Sequence, residues 1–465
     1  MAKVSSREIF ETLPVPAAVR AMALPTIFGQ IIVLIYNMAD TFYVGRTNDP
    51  YMVAGASLIL PIFNICLALA GLAGVGGGAL LSRLLGEGRE AEAKRVCSFS
   101  FYLSLIIAAV FSAATLFFMK PLLGLLGASE NTFLYAKQYA FCVIVLGGIP
   151  TVLSNVLSNL LRSVGVSREA GIGITMGGLI NIALDPLFMF VLLPRGYEVL
   201  GVGIATLLSN CIACAYFFFV IFRLRGQSVL SFRVRGGLPE KRSIGAIFNV
   251  GLPSAIGVLL FDVDYIVIDK LMAGYSDVAL AAVGIVLKAE RLPLNVGIGI
   301  CQGMMPIVAY NYAAKNRARM DAVVRFSLRL GLIVGAVSIV LYEIFSGGIL
   351  RVFISDAETV RLGAGFLRIR CLATPLMFGS FFTVHMFQGF GKGNHALFLS
   401  VVRWAVFNIP MLFLLNHIFG MYGIVWSQVS ADLLTVALSV YVYYRYTRTL
   451  TPEDGTEKAE EAALR

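Results

Sequence analysis

Long apolar runs, broken only by short charged or turn-rich segments, follow one another along the whole chain. A hydrocarbon core about 30 Å thick needs about 20 helical residues to cross it, and twelve runs reach that length. The predicted spans are residues 18–44, 52–82, 97–119, 133–161, 170–193, 199–222, 244–272, 278–310, 322–346, 360–388, 395–418 and 421–446. Because these runs are apolar all round and lack the alternation of a membrane barrel strand, we predict helices for all of them.

The composition agrees with this pattern. Of the 465 residues, 58% are hydrophobic and 14% are charged, whereas soluble domains hold about 45–50% apolar and about 25% charged residues. Too few polar side chains remain to cover a water-facing surface, so a soluble enzyme is excluded and the lipid bilayer is the predicted surroundings. We therefore predict an all-α polytopic membrane protein with twelve transmembrane helices.

The basic residues lie mainly in the loops on one side of the predicted membrane. The formal net charge is +10, but the basic residues are scattered in short runs, which favours loop anchoring and argues against a nucleic-acid partner. With both termini placed in the cytoplasm, the cytoplasmic segments hold most of the 37 Lys and Arg residues. We therefore predict cytoplasmic termini, a basic cytoplasmic linker at 223–243 and a cytoplasmic tail at 447–465.

The chain also contains an internal repeat. Sliding it by 228 residues places Pro25 on Pro253 and Gly29 on Gly257. The repeat predicts an N-terminal lobe at 1–222 and a C-terminal lobe at 244–446, each with six spans. Since six is even, the lobes are parallel repeats, a layout typical of transporters that rock two bundles around a central cavity. The glycine-rich string GLAGVGGGALL in span 2 indicates close helix packing.

Polar side chains at membrane depth concentrate in the predicted N-terminal lobe. They are Tyr36 and Asp40 in span 1, Tyr139, Asn155 and Asn159 in span 4, Asn181 and Asp185 in span 5, and Thr206 in span 6. Groups of this kind mark functional sites by default, because their burial is costly. Two carboxylates in one pocket repel each other, and a proton or a Na⁺ ion bound at Asp40, Asn181, Asp185 and Thr206 would relieve the repulsion. Residue types leave H⁺ and Na⁺ open.

The repeat does not duplicate this carboxylate pair, because Asp40 aligns with Ile268 and Asp185 with Leu412. A functional pair is one interpretation. In the other, Asp40 caps a broken helix and Asp185 anchors a helix end beside Pro186.

The C-terminal lobe has its own charged candidates. They are Asp262, Asp264, Lys288, Glu290, Arg291 and Asp432. The basic residues of span 8 could pair with Asp262 or Asp264 in a structural network, or the group could serve a substrate or an ion. Pro25 removes a backbone hydrogen bond in span 1, so it is either a bend point or a static kink.

Several strings of the sequence resemble the multidrug and toxic compound extrusion (MATE) family. They are LPTIFGQIIVLIYNMADTFYVGR in span 1, SRLLGEGREAEAKR after span 2, LINIALDPLFMF in span 5 and GVGIATLLSN in span 6. The resemblance covers about residues 14 to 446. CQGMMPIVAYNY and GIVWSQ look most like the bacterial MepA-like multidrug efflux branch.

The resemblance implies a V-shaped molecule and assigns roles to residues. Asp40, Asn181, Asp185 and Thr206 match the family's cation-coupling site, and Tyr36, Tyr139, Asn155 and Asn159 match residues lining the cavity of the same lobe. It also implies a bend of span 1 near Pro25. The acids that some members carry in the C-terminal lobe fall near Phe261 and Met377 here and are absent, which leaves Asp262 as the cavity residue of that lobe.

The resemblance further implies the activity. We expect a secondary active antiporter, not an enzyme, that exports amphipathic, mostly cationic organic compounds in exchange for H⁺ or Na⁺. It would need no cofactor beyond the coupling ion and would act as a monomer in a bacterial inner (cytoplasmic) membrane. The alternative is a flippase for a lipid-linked oligosaccharide, or a narrow-substrate metabolite exporter, of the same superfamily.

Overall fold

The computed structural model describes residues 6–232 and 237–448, and the described residues are built from helices. The first half contains α1 (Ser6–Glu11), α2 (Val15–Gly45), α3 (Pro50–Ser57), α4 (Leu60–Gly86), α5 (Glu90–Phe117), α6 (Met119–Leu125), α7 (Glu130–Ala140), α8 (Gly148–Ser163), α9 (Ser167–Leu187) and α10 (Glu198–Arg223). The second half contains α11 (Lys241–Ala273), α12 (Asp277–Ala313), α13 (Arg317–Phe353), α14 (Ala357–Cys371), α15 (Thr374–Gly389), α16 (Gly393–Val401), α17 (Ile409–Phe419) and α18 (Met421–Arg448). Parts of the predicted linker (233–236) and tail (449–465) lie outside the described residues.

π-Helical stretches extend or join some of these helices. They are Phe141–Leu146 after α7, Phe188–Leu192 after α9 and Val402–Asn408 between α16 and α17.

The predicted spans coincide with these helices or with pairs of them in series. Within the described ranges, ten helical segments are long and apolar enough to cross a membrane, and an eleventh is added if α7 and α8, bent by 48°, count as one span. Predicted span 10 corresponds to α14 and α15, where Arg361, Arg368 and Arg370 reduce the apolar character. The all-α membrane fold is thus confirmed, and a layout of twelve helices in two bundles is consistent with it.

The two lobes contact each other through two equivalent pairs of helices. α2, the first span of its lobe, packs on α12, the second span of the other lobe. The reverse contact, between α11 and α4, pairs the first span of the C-terminal lobe with the second of the N-terminal lobe. This reciprocal pairing is what two parallel repeats around a pseudo-twofold axis require.

Glycines allow the backbones at this interface to approach closely. A Cβ atom added at Gly251 of α11 would lie 2.1 Å from the Leu72 carbonyl oxygen of α4, and one at Gly76 would lie 2.3 Å from the Ile247 carbonyl oxygen. At the other crossing, a Cβ at Gly303 would lie 2.5 Å from Cα of Ala23. The close packing predicted from the glycine-rich string of span 2 is therefore confirmed.

Both ends of the described chain lie on one face of the molecule. Phe10 of α1 stacks on Tyr310 near the end of α12 with ring centroids 4.9 Å apart. Arg319, at the start of α13, donates to the carbonyl oxygens of Phe10 at 2.6 Å and Leu13 at 2.6 Å. Its neighbour Arg317 donates to the Thr447 carbonyl oxygen at 3.4 Å. We call this side, which holds α1, the start of α13 and the end of α18, the terminal face.

The described part of the linker is tied to the N-terminal lobe at this face. The Glu92 carboxylate of α5 accepts hydrogen bonds from the Glu240 backbone amide at 2.9 Å and from the Ser243 hydroxyl at 2.7 Å. Tyr102, also on α5, donates to the Phe232 carbonyl oxygen at 2.9 Å. The linker is therefore a packed strap between the lobes where the structure describes it.

Replacing Gly251 should test the interface. Gly251→Ala forces α11 away from α4, and overpacking of this kind typically costs about 1–3 kcal/mol. We expect a lower melting temperature of the purified protein in detergent. Gly245→Ala on the same helix is the matched control, because its added Cβ meets nothing within 4 Å and Ala favours a helix over Gly by about 1 kcal/mol. Equal melting temperatures for the two variants would contradict the close approach.

Candidate functional site

A glycine brings the predicted carboxylate pair together. α9 packs closely along α2, and a Cβ added at Gly178 would lie 2.5 Å from Cγ2 of Ile32 and 3.1 Å from Cδ1 of Tyr36. The polar face of α2 is one turn further on, at Asp40, and that of α9 one turn further on, at Asn181. The small residue therefore lets the two polar faces meet inside the lobe.

The carboxyl groups of Asp40 and Asp185 lie within hydrogen-bonding reach of each other. Asp185 is fully buried, and Asp40 is partly exposed. The Asn181 amide lies 3.4 Å from Asp185 Oδ1 and 3.4 Å from the Thr206 hydroxyl of α10. A carboxyl–carboxyl hydrogen bond needs a proton on one of the two groups, so the arrangement itself calls for a proton or another cation.

Several oxygens of this cluster have no donor from the protein. Among the described residues, Asp40 Oδ1, Asp185 Oδ2 and Asn181 Oδ1 are buried without a hydrogen-bond partner. Buried acceptors of this kind are costly when left unsatisfied. Together with the Thr206 hydroxyl they form a set of oxygen ligands of the type that hard cations prefer.

Two tyrosines close the cluster. Tyr139 is buried near both carboxyl groups and near Tyr36, and a Cβ at Gly203 of α10 would lie 3.5 Å from the Tyr139 ring. Six of the predicted residues, on α2, α7, α9 and α10, therefore meet at one place. They are Tyr36, Asp40, Tyr139, Asn181, Asp185 and Thr206.

The asparagines of α8 form a separate polar stripe. From Thr151 to Ser163, every residue of α8 is buried except Asn155 and Asn159, which are partly exposed. Their amides donate to carbonyl oxygens of α8 itself, from Asn155 to Thr151 at 2.9 Å and from Asn159 to Asn155 at 3.0 Å. Their side chains bond along α8 rather than to the carboxylate pair, and their place in the lining of a cavity stays a prediction.

One buried cation beside this stripe escaped the sequence analysis. Arg162 lies just beyond the predicted end of span 4, and it donates to the Ser158 hydroxyl at 3.0 Å and to Asn159 Oδ1 at 3.2 Å. The spacing of Asn155, Asn159 and Arg162, at positions i, i+4 and i+7, places all three on one helical face. That spacing is the sequence feature from which Arg162 could have been identified.

Pro25 lies inside a continuous α2 and is packed tightly against the start of α9. The Met22 carbonyl oxygen accepts from the Thr26 hydroxyl at 2.9 Å and from the Ser167 hydroxyl of α9 at 2.7 Å. A Cβ at Gly171 would lie 2.5 Å from the Pro25 carbonyl oxygen. The polar bonds around Met22 therefore tie the proline segment to α9.

The charged residues of the C-terminal lobe form a buried network. Arg370 of α14 pairs with Glu290 of α12 at 2.8 Å, and Arg403 of the π-helical stretch pairs with Asp432 of α18 at 2.8 Å. Gln428 joins the two pairs, since it donates to Asp432 at 2.5 Å and accepts from Arg370 at 3.4 Å. All five side chains are buried, so each carboxylate of these pairs is neutralised inside the lobe.

The structure thus favours the network interpretation but with other partners than those considered from the sequence. Asp264, also buried, accepts from the Asn408 amide at 2.6 Å. Lys288 is exposed, and the Arg291 guanidinium lies 5.1 Å from the Tyr265 ring. The basic partners Arg370 and Arg403 come from α14 and the π-helical stretch. The sequence feature that could have identified them is a basic residue inside an apolar run.

Asp262 differs from its neighbours because it faces the other lobe. The Asn64 side chain of α4 lies close to its carboxylate. The predicted cavity residue of the C-terminal lobe therefore lies at the seam between the lobes.

Comparison with known proteins gives a consistent family. The MatE family model matches residues 25–187 and 253–414, one match in each lobe. The multidrug export protein MepA of Staphylococcus haemolyticus (strain JCSC1435) is 30% identical over 447 residues, covering 96% of this chain and 97% of that protein. MepA of Staphylococcus aureus (strain MSSA476) is 29% identical over 444 residues, covering 95% of this chain and 96% of that protein.

Solved structures share the fold. A crystal structure of MATE in complex with MaL6 superimposes with a TM-score of 0.90 at 21% identity, covering 96% of this chain and 99% of the other. An outward-facing multidrug resistance MATE family transporter of the MOP superfamily gives the same score, identity and coverage.

Breaking one pair of the C-terminal network should destabilise the protein. Asp432→Asn leaves the Arg403 guanidinium charged, buried and unpaired, a change that typically costs about 3–5 kcal/mol. We expect a large decrease in the melting temperature of the purified protein. Glu343→Gln is the control, because the Arg368–Glu343 pair is 3.8 Å long and 54% and 46% exposed, and such pairs contribute about 0–1 kcal/mol. A loss as small for Asp432→Asn as for the control would contradict the network.

Proposed function

Because the chain belongs to the MATE family, we propose that it exports amphipathic organic cations in exchange for protons or sodium ions bound in its N-terminal lobe. The family and its MepA relatives show that the protein is a membrane transporter that carries out multidrug efflux and is not an enzyme. The coupling ion, the cationic nature of the drugs and the site residues are the proposal.

The observation that carries the proposal is a carboxylate pair in which one oxygen of each group lacks a protein donor. Asp40 and Asp185 approach each other while Asp40 Oδ1 and Asp185 Oδ2 have no hydrogen-bond partner among the described residues. A bound H⁺ would bridge them, and a bound Na⁺ would use the same oxygens with Asn181 and Thr206. These oxygen ligands suit either ion, so both remain candidates.

Exchange follows from electrostatic competition. When the pair is ionised, its negative charge favours a cationic drug in the adjoining cavity. When H⁺ or Na⁺ neutralises the pair, that attraction is lost and the drug is released. Thermodynamic reciprocity requires that the drug also weaken binding of the coupling ion.

The cavity residues support binding of amphipathic cations. Tyr36 and Tyr139 offer aromatic faces beside the carboxylates, and cations bind such faces. Asn155 and Asn159 present the polar stripe of α8, and Asp262 adds a carboxylate from the C-terminal lobe. Rocking of the lobes would change the Asp262 contact with Asn64, and Pro25 is our candidate for the bend in α2.

The flippase alternative has less support. A lipid-linked pyrophosphate needs basic groups facing the cavity. Arg162 is buried, and its guanidinium bonds to Ser158 and Asn159 of its own helix. The relatives described above are named as multidrug export proteins, which also favours drug export over export of a single metabolite.

The remaining proposals concern setting and assembly. We place the protein as a monomer in the bacterial cytoplasmic membrane with the terminal face in the cytoplasm. The support is the excess of basic residues in the segments of that side.

The first test is export of a fluorescent cationic dye from proteoliposomes under an imposed pH gradient or an imposed Na⁺ gradient. We expect one gradient to drive export in the wild type and Asp40→Asn to abolish it. The variant should also make dye affinity independent of that ion, where wild-type affinity changes by roughly 5–150-fold, the usual range of coupling between sites.

Asp269→Asn is the matched control, because Asp269 is exposed and adjoins Ile268, the repeat equivalent of Asp40. It should pump like the wild type. Gradient-driven export by Asp40→Asn at the wild-type rate would overturn the coupling site, and its loss in both variants would show that the effect is not specific to the pair.

Orientation can be tested with reporters fused after Arg448. We expect green fluorescent protein at this position to be fluorescent and alkaline phosphatase to be inactive, as in the cytoplasm. The same reporters fused after Gly420, between α17 and α18, should show the opposite behaviour. An active phosphatase after Arg448 would reverse the proposed orientation.

A further inference from the structure

A groove of about 630 Å³ opens between α16 and α18 at the terminal face. Its side walls include Phe398 of α16 and Tyr441 of α18, which are 50% and 59% exposed. Both helices belong to the last two spans of the C-terminal lobe, and exposed aromatic side chains on membrane spans are typical of surface that contacts lipid. None of the groove-lining residues belongs to the proposed drug and ion sites.

The groove is wedge-shaped because of the way the last spans pack. Away from the terminal face, α18 packs against α17 and the π-helical stretch that follows α16. Near the terminal face, α16 and α18 both rest on α15 instead. There His395 stacks on Phe387 of α15 with centroids 5.1 Å apart, and Tyr446 stacks on Phe390 with centroids 5.8 Å apart. The groove therefore has an aromatic floor and opens toward the membrane surface.

The lining changes from polar to apolar along the groove. Asn394 and His395 of α16 and Arg445 of α18 lie at the open end. Phe398 and Leu438 lie deeper, and the seven residues from Arg445 back to Leu438 correspond to roughly 10 Å along a helix. Two helices that run in opposite directions thus present the same order of polarity, which is the order in an amphiphile that enters the membrane from its surface.

The charge at the open end is positive. Arg445 is exposed, and the Lys392 ammonium lies 5.8 Å from the centre of the Tyr446 ring. The N-terminus of α16 opens at the same end, and helix N-termini favour anions. The groove-lining residues include no Asp or Glu, so the site complements a negatively charged head.

We propose that this groove binds an anionic phospholipid of the adjoining leaflet. The lipid phosphate is held by Arg445, with Asn394 and His395 as further hydrogen-bonding groups. The first part of one acyl chain lies along Phe398 and Leu438. The glycerol backbone passes Tyr441, at the depth where aromatic residues are enriched in membrane proteins.

Native mass spectrometry of the full-length, delipidated protein tests this site. The probes are phosphatidylglycerol and phosphatidylcholine with identical oleoyl chains, and glycerol phosphate as the head without chains. We expect the wild type to prefer phosphatidylglycerol over phosphatidylcholine by roughly tenfold, because both offer the phosphate but the positive charge at the open end repels the choline ammonium. It should not retain glycerol phosphate, because the acyl chain supplies part of the binding.

Two variants and one control locate the site. Arg445→Gln should abolish the preference for phosphatidylglycerol, and Phe398→Ala should weaken binding of both lipids. Arg448→Gln is the matched control, because Arg448 lies over the Tyr444 ring outside the groove, and it should keep the preference. Equal melting temperatures without lipid would show that the variants are folded, since Arg445 and Phe398 are both exposed.

Four outcomes would overturn the proposal. Equal binding of the two lipids by the wild type would show that the site does not recognise the charge of the lipid head. An unchanged preference in Arg445→Gln would show that another residue recognises this charge. Retention of glycerol phosphate as strong as that of the lipid would indicate a site for free anions. Absence of lipid binding in the wild type, with binding restored when the acidic residues of 449–465 are neutralised, would assign the groove to the chain's own C-terminal segment.

Discussion

A charge inside the hydrocarbon layer must find its counter-charge within the protein, and the two lobes of this transporter meet that constraint in opposite ways. In the C-terminal lobe, Glu290 and Asp432 each have a guanidinium at 2.8 Å, and Gln428 links the two pairs. In the N-terminal lobe, Asp40 and Asp185 have no such partner and face each other. The first arrangement supplies its counter-charges from within the lobe. The second has no counter-charge of its own, and in the proposed function a cation from solution supplies it.

The sequence was sufficient for features that depend on local pattern. Span lengths follow from runs of apolar residues, and the repeat follows from positions such as Pro25 and Pro253. The polar cluster of the N-terminal lobe was also predictable, because six spans of known order in one bundle bring rare polar residues to a shared interior. The structure then showed that Gly178 lets the faces of α2 and α9 meet.

Pairings between distant segments were not predictable in the same way. Glu290 was considered with its neighbours in sequence, but its partner Arg370 lies 80 residues away on another helix. Asp262 turns to Asn64 of the other lobe, while Asp264, two residues further along α11, turns inward to Asn408. Such choices depend on helix rotation and on the depth of each crossing, which apolar periodicity leaves open. The groove between α16 and α18 is a further example, since it arises from how two helices diverge over a third.

The reciprocal contact of α2 with α12 and of α11 with α4 bears on the origin of the chain. A single six-span unit carries both halves of this contact, the outer surface of its first span and the glycine seam of its second. Two copies of such a unit would assemble around a twofold axis through these two surfaces alone. Fusion of the copies into one polypeptide would allow the sequence of each copy to change independently of the other. One copy now carries acids at positions 40 and 185, while its sister carries Ile268 and Leu412 at the equivalent places and pairs its own buried acids with arginines.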